Sequence, residues 1–388
     1  MLTAQKKRTI LRGIEPVAML AYLGYRLVSG DLIRRHDFPT TPRRILVVRL
    51  DTIGDVLLSE PAVAALRKRF PDAEIDLVVG AAGKAILAGN PNITNFVLYN
   101  APWHAAWRGG KVDWRAAFSD LLNTVRVLRR RRYDLAYELR GDFRDIAFMA
   151  ACGARLNIGN GWRGGGYMLH RNVRLDTEAH RVDFALGIVG ATGGESPRLY
   201  ISQEDRENAK RLLSGATDTI AFHLGAGFPS KCLPIDTFTE VARRLVSLDS
   251  SRQLVVIGGK DEEGLAKALA QRLPFAPLSL VGKLSLLETA AVLERCRLFI
   301  GNDSGPMHIA AAVRTPVVTF FGPSEPSEYH PYGVDHRLLE VDLPCRPCDH
   351  VHCIRGDYPC MTGISAEDII AAAEELLGSS IALPLKLK

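Results

Sequence analysis

The sequence predicts an α/β protein made of two doubly wound domains, each with a parallel sheet at its centre. Three observations lead there. Short, nearly continuous runs of aliphatic and β-branched residues, such as those at 45–50 and 317–321, alternate with amphipathic stretches. Runs of that kind suit strands buried on both faces, and the alternation is that of βαβ units. The pattern runs once, pauses near Arg198 to Gln203, and then repeats. At 388 residues and 47% hydrophobic content, the chain has the length of about two domains. Residues 1–42 read as an N-terminal extension and linker, 43–200 as the first domain and 201–388 as the second. The second domain is expected to close with a cysteine-rich segment and a helix.

In chain order, Lys6, Lys7 and Arg8 precede apolar residues from Ile10 to Leu32 at helical spacing. The longest uncharged run there, Pro16 to Tyr25, is half of what a spanning helix needs. A basic amphipathic helix of this type lies either in a membrane interface or against the domain surface. After the linker Pro39 to Arg44, Ile45 to Leu50 reads as a strand and Asp51 to Asp55 as a turn. A helix is expected from Val56 to Phe70, then strands at Ile75 to Val79 and Phe96 to Tyr99. Trp103, Trp107 and Trp114 fall in what reads as a polar loop. The helix that follows ends in Arg129, Arg130, Arg131 and Arg132, and Leu135 to Leu139 is the next strand. Gly159 to Gly166, with Trp162 and Arg163, reads as a glycine-rich loop. In the second half, strands are expected at Thr219 to Phe222, Leu254 to Ile257, Leu278 to Val281, Leu298 to Ile300 and Val317 to Phe321. Helices are expected at Phe238 to Leu248 and Leu286 to Glu294.

Charge is spread unevenly. Residues 1–180 carry 28 Lys and Arg against 17 Asp and Glu, and the remainder carries 21 against 26. A basic first half implies an acidic partner: nucleic acid, anionic lipid or a phosphorylated glycan. With 7% aromatics and no Arg/aromatic recognition module, nucleic acid is not expected. The chain shows no secretory signal. Cys152, Cys232 and Cys296 stand far apart in sequence, as reduced thiols do. A reducing, cytoplasmic setting fits them. Cys345, Cys348, Cys353 and Cys360 are spaced C-x2-C-x4-C-x6-C, with His350 and His352 between. That set reads either as a structural zinc site lacking the usual second CxxC pair, or as free or redox-paired thiols.

The chemistry centres on FIGNDSGPMHIAAAV, residues 299–313. A buried strand stops at Asn302, Asp303 and Ser304, all good N-cap residues, and Pro306 suits the first turn of an Ala-rich helix. The leading N–H groups of such a helix carry partial positive charge and bind anions. Gly305 removes a side chain there, and His308 lies one turn in; the stretch reads either as an anion site or as an ordinary capped helix with a core histidine. Gly225, Ala226 and Gly227 with Lys231 offer exposed backbone N–H groups and a cation suited to a diphosphate. Asp261, after Gly258 and Gly259, reads either as an acceptor for sugar hydroxyls or as a helix N-cap. Asp55, after Gly54, reads either as a general base or as an ordinary complement to a helix dipole. No Asp-x-Asp pair for a divalent metal occurs in the chain, so Lys231 and a helix dipole would stabilise a leaving group instead.

These stretches resemble glycosyltransferase family 9, the heptosyltransferases of lipopolysaccharide core synthesis. The resemblance rests on ILVVRLDTIGDVLLSEPAVAALRKRFP, FHLGAGFPSKCLP, VVIGGKDEE, FIGNDSGPMHIAAA with PVVTFFGPSEP, and CRPCDHVHCIRGDYPCM, and spans Arg43 to the end. It implies a GT-B fold, two Rossmann-like domains facing across a cleft. It also implies inverting, metal-independent transfer of heptose from ADP-heptose, with no cofactor. By motif, Asp55 would be the base, with Gly54 and Arg163 on the acceptor side. Lys231 would bind the donor diphosphate alongside Gly225, Ala226 and Gly227. Asp303, Ser304, Gly305 and His308 would hold phosphates and sugar, and Asp261 would hold ribose. Ala226 and Gly227 stand where some members have hydroxyl side chains, so only backbone contacts are available there. The implied partners are a nucleotide sugar and an anionic lipid-linked oligosaccharide, with the enzyme cytoplasmic or peripheral on the inner membrane. Two other readings remain: a GT-B transferase using another nucleotide sugar on a cell-surface glycan, or a non-catalytic nucleotide-sugar binder.

Overall fold

The computed structural model describes residues 37–107, 111–193 and 195–378; the amphipathic stretch from Ile10 to Leu32 lies outside them. Contacts divide the chain into two compact units, parting at Gly193 and Gly194. The first holds β1 (Arg44–Val48), β2 (Glu74–Val79), β3 (Asn95–Leu98), β4 (Leu135–Glu138), β5 (Leu156–Gly159) and β6 (Arg171–Asn172), ordered β3-β2-β1-β4-β5-β6. The second holds β7 (Thr219–His223), β8 (Gln253–Ile257), β9 (Leu278–Ser279), β10 (Leu298–Asn302), β11 (Val317–Phe321) and β12 (His336–Glu340), ordered β12-β11-β10-β7-β8-β9. Taken from its other edge, the second order repeats the first. All pairings are parallel.

Parallel neighbours need crossover helices, and these cover both faces of a sheet. That is why the central strands carry no polar alternation. Ile45, Leu46, Val47 and Val48 are all fully buried, as are Leu298, Phe299 and Ile300. In the second unit Phe238, on the helix Ile235–Leu248, packs its ring 5.8 Å from Phe222 and 5.9 Å from Phe320. Each sheet reverses its winding once, between β1 and β4 and between β7 and β10. Loops leaving neighbouring strands diverge at such points and open a crevice for ligands.

Several expectations are corrected. The helix expected over Val56 to Phe70 is two helices, Ile53–Leu58 and Glu60–Arg69, broken at Ser59, with Pro61 in the first turn of the second. Proline supplies no N–H to a preceding turn, so one continuous helix cannot form. Asp55 therefore lies inside a helical first turn, not in the turn before it. The segment Thr52–Leu58 also groups by contacts with the second unit, as does Ala85–Asn90. Trp114 is the first residue of the helix Trp114–Arg131, and Pro102–Trp107 is helical, so the tryptophans do not sit in one polar loop. β5, β6 and β12 were not expected. Among the described residues no helix is long and apolar enough to cross a membrane.

Candidate active site

The site in the second unit grows from the winding reversal between β7 and β10. β10 ends at Asn302, and the chain passes through Asp303 and Ser304 into the helix Gly305–Ala312, with Pro306 in its first turn. Ser304 holds the N-cap position, yet its side chain makes no cap. Its hydroxyl instead meets His223 Nδ1 at 3.1 Å and lies 3.0 Å from the Asn302 carbonyl, to which it can donate. The leading N–H groups of the helix are thus not capped by Ser304, and an uncapped helix start of this kind suits an anion.

Asn302 is fully buried and ties this turn to the lysine loop. Its Nδ2 donates to the carbonyls of Leu224 at 2.9 Å and Gly225 at 3.0 Å, and its Oδ1 accepts from Leu233 N–H at 3.0 Å. The loop accordingly returns Lys231 to β10. Lys231 Nζ donates to Asp303 Oδ2 at 2.6 Å, and Ser324 Oγ donates to the same oxygen at 2.5 Å. The Asp303 side chain is 6% exposed and that of Lys231 21%. An ammonium has three N–H groups, so one contact with Asp303 leaves others for an incoming anion. A Cβ built on Gly227 would meet nothing within 4 Å, so that stretch of backbone is open to approach.

The acidic residue that joins these loops is Glu262, not Asp261. Asp261 is exposed, whereas the Glu262 carboxylate lies 3.1 Å from His223 Nε2 and accepts from Gly259 N–H at 2.9 Å. Burial raises the Glu262 pKa, but His223 and the backbone donor outweigh it and hold the carboxyl below its ordinary value. Two glycines make room for it. A Cβ at Gly225 would fall 1.6 Å from Glu262 Oε1, and one at Gly258 2.1 Å from Oε2. Glu262, His223 and Ser304 thus form a hydrogen-bonded chain ending at the helix start. Sequence reasoning missed Glu262 and His223. The available signal was a histidine at the end of a buried strand followed by Gly-Ala-Gly.

Gly54 and Asp55 join the same unit. A Cβ on Gly54 would stand 2.8 Å from His308 Cδ2, so glycine is what lets the helix Ile53–Leu58 rest against the helix Gly305–Ala312. Gly305 in turn faces Ile53, whose Cβ would be 3.7 Å from an added methyl. Asp55 accepts from Thr52 Oγ1 at 2.6 Å. His308 is 5% exposed, and its Nδ1 is buried with no hydrogen-bond partner among the described residues. Burial pulls its pKa below the ordinary value, against the opposing pull of Asp303 and Asp55. The imidazole beside Asp55 is therefore neutral near pH 7.

The first unit carries its own polar cluster where β1 and β4 end. Arg140 Nε pairs with Asp51 at 3.0 Å, and Arg140 also meets His104 at 2.9 Å. Glu138, fully buried, accepts from the N–H groups of Arg140 at 2.9 Å and Gly141 at 2.7 Å. Trp103 Nε1 donates to the buried Asp145 at 2.9 Å. Arg163 stacks over Trp162 at 4.1 Å, and its backbone bridges to Asp142. Arg163 belongs to the first unit. Asp51, His104 and Arg140 were missed, because their common location depends on sheet order.

The four C-terminal cysteines are free thiols, from exposed Cys345 to buried Cys360. Among the described residues no three His, Cys, Asp or Glu side chains are arranged to hold a metal ion.

The family model described as glycosyltransferase family 9 (heptosyltransferase) matches residues 121–358. The chain is 28% identical over 322 residues to lipopolysaccharide heptosyltransferase 2 of Escherichia coli (strain K12), covering 77% of this chain and 88% of that one. Among solved structures, the glycosyl transferase family 9 protein from Veillonella parvula DSM 2008 superposes with a TM-score of 0.74 at 26% identity, over 87% of this chain and 98% of that one. The E. coli heptosyltransferase WaaC with ADP shares the fold at a TM-score of 0.64 and 21% identity, over 86% and 99%. With the matched region spanning more than half of its length and two doubly wound sheets beneath it, the chain belongs to glycosyltransferase family 9, the heptosyltransferases, and is a glycosyltransferase.

Proposed function

We propose that this enzyme transfers heptose from ADP-heptose to a lipopolysaccharide core acceptor, with inversion and without a metal. The observation that carries the reading is the seating of Gly54 on His308. Asp55 follows Gly54 and acts electrostatically on His308, which sits in the helix whose start carries Asp303 and Ser304 and to which Lys231 is hydrogen-bonded through Asp303. In this reading Asp55 takes the proton of the acceptor hydroxyl as it attacks the anomeric carbon from the face opposite the diphosphate. Lys231, the uncapped N–H groups of the helix Gly305–Ala312, and the backbone of Gly225, Ala226 and Gly227 stabilise the departing ADP. Glu262, in the role first given to Asp261, faces the ribose and fixes His223, which in turn orients Ser304. His308 offers its unpartnered nitrogen to the sugar or phosphate. Arg140 and Arg163, in the basic first half, meet the anionic acceptor. That acceptor is lipid-linked, so the enzyme works as a peripheral protein at the cytoplasmic face of the inner membrane.

The absence of any Asp-x-Asp pair supports the metal-free route. The solved structures of E. coli heptosyltransferase WaaC with ADP and with ADP-2-deoxy-2-fluoro heptose support the choice of donor. A thermal-shift panel of nucleotide sugars tests it. ADP-heptose should raise the melting temperature, and UDP- and GDP-sugars should not. A shift with another nucleotide sugar alone would replace the donor assignment.

A further inference from the structure

The helix Trp114–Arg131 presents a face that nothing described so far uses. Eight large apolar side chains are exposed among the described residues, and four of them sit on this one helix: Trp114 at 61%, Phe118 at 60%, Leu122 at 46% and Val127 at 56%. Trp114, Phe118 and Leu122 are spaced by four and so form a single ridge. Arg126 continues that ridge and Arg115 flanks it, both exposed; Arg129, though exposed, donates from Nη1 to the Ala151 carbonyl at 3.1 Å. An adjoining side, with Thr124 and Leu128, is buried in the first unit. Asp120 is the one acid in the helix, and the five arginines include Arg131, which is committed to Glu74 and Asp76. Asp113 caps the N-terminus through the N–H groups of Arg115 and Ala116, so the aromatic end is held as a firm helical turn.

We infer that this ridge docks on an anionic lipid surface. The ridge is the exposed face of a helix, the shape that lies flat on a surface. A second copy of the chain would bring Arg115 and Arg126 against the same two arginines, which repel. A sheet of lipid phosphates complements them, while Trp114, Phe118 and Leu122 enter the headgroup boundary, as the apolar face of an interfacial helix does. Each arginine at such a surface strengthens partitioning about fivefold, the equivalent of about 1 kcal/mol. The inference shares with the proposed function only the premise of a lipid-linked acceptor, and its vesicle-binding and quenching measurements do not use the donor.

The test is co-sedimentation of the full chain with vesicles of phosphatidylglycerol and phosphatidylethanolamine, against vesicles of phosphatidylcholine alone. The full chain should bind the anionic vesicles and not the neutral ones. Trp114→Ser/Phe118→Ser/Leu122→Ser should weaken that binding about tenfold or more. Its donor-induced thermal shift and its transfer to a soluble, delipidated acceptor should not change. Brominated lipid should quench the full chain more than the Trp114→Phe variant. Three results overturn the inference: vesicle binding equal in the triple variant; binding with no quenching that depends on Trp114; or no vesicle binding, with an oligomer that the triple variant dissolves. If the vesicle results hold while ADP-heptose gives no thermal shift, the donor assignment fails and the docking surface stands.

Discussion

Replacing Lys231 by methionine separates what the lysine does for the fold from what it does for the donor. The change keeps most of the side-chain volume and removes the ammonium. Asp303, 6% exposed, then keeps Ser324 as its remaining described donor. An under-compensated buried polar group costs about 1–3 kcal/mol. For a unit of this size that lowers the melting temperature by roughly 2–12 °C. Losing a charge-assisted bond to a diphosphate, worth about 1.5–3 kcal/mol, weakens donor binding about 10- to 150-fold. The pair Lys231→Met/Asp303→Asn removes the stranded carboxylate, so stability should return while affinity does not. Thermal melts and titration calorimetry with ADP-sugar measure the two quantities on the same samples. An unchanged dissociation constant in Lys231→Met, or recovery of both stability and affinity in the double variant, would refute the reasoning.

Two further outcomes follow from the geometry. Gly225→Ala puts a methyl within 1.6 Å of Glu262 Oε1 and must expel that carboxylate from His223. The loss should be about 1.5–3 kcal/mol in urea unfolding, and no further loss should appear when Gly225→Ala is added to Glu262→Ala; additive losses would show that the two act separately. His308, with its pKa held below the ordinary value by burial, stays neutral in the fold while the unfolded chain takes up a proton. Its contribution to stability is full above about pH 6.5 and is lost as pH falls below that, toward the lower folded value. His308→Asn should flatten this part of the stability curve, and parallel curves for the two proteins would exclude His308 as the source.

The legible parts of the chain were those where burial on both faces leaves no choice of composition. Val317–Phe321 and Leu286–Glu294 were read with their boundaries, and Leu298, Phe299 and Ile300 could only be a strand. β6 is two exposed residues, and β12 is a half-buried edge strand; neither leaves a hydrophobic run to see. The strand-to-helix turn at residues 302–308 could be read from capping chemistry, but not that Ser304 turns to His223 and leaves the cap open. Adjacent carboxylates in GKDEE cannot be ranked without helix phase, and Glu262, not Asp261, turns inward. Gly54 and Asp55 were recognised as a pair. Their grouping with the second unit depends on a helix–helix contact 254 residues away, for which Gly54 is the sole local sign.

Pre-steady-state transfer by Asp55→Asn tests the central claim most directly, with ADP-heptose binding measured on the same protein. The account predicts a dissociation constant within about threefold of the unmodified enzyme and a transfer rate reduced about 10²- to 10⁴-fold, the contribution of a general base. Transfer at the full rate, or loss of binding in step with loss of transfer, would contradict it.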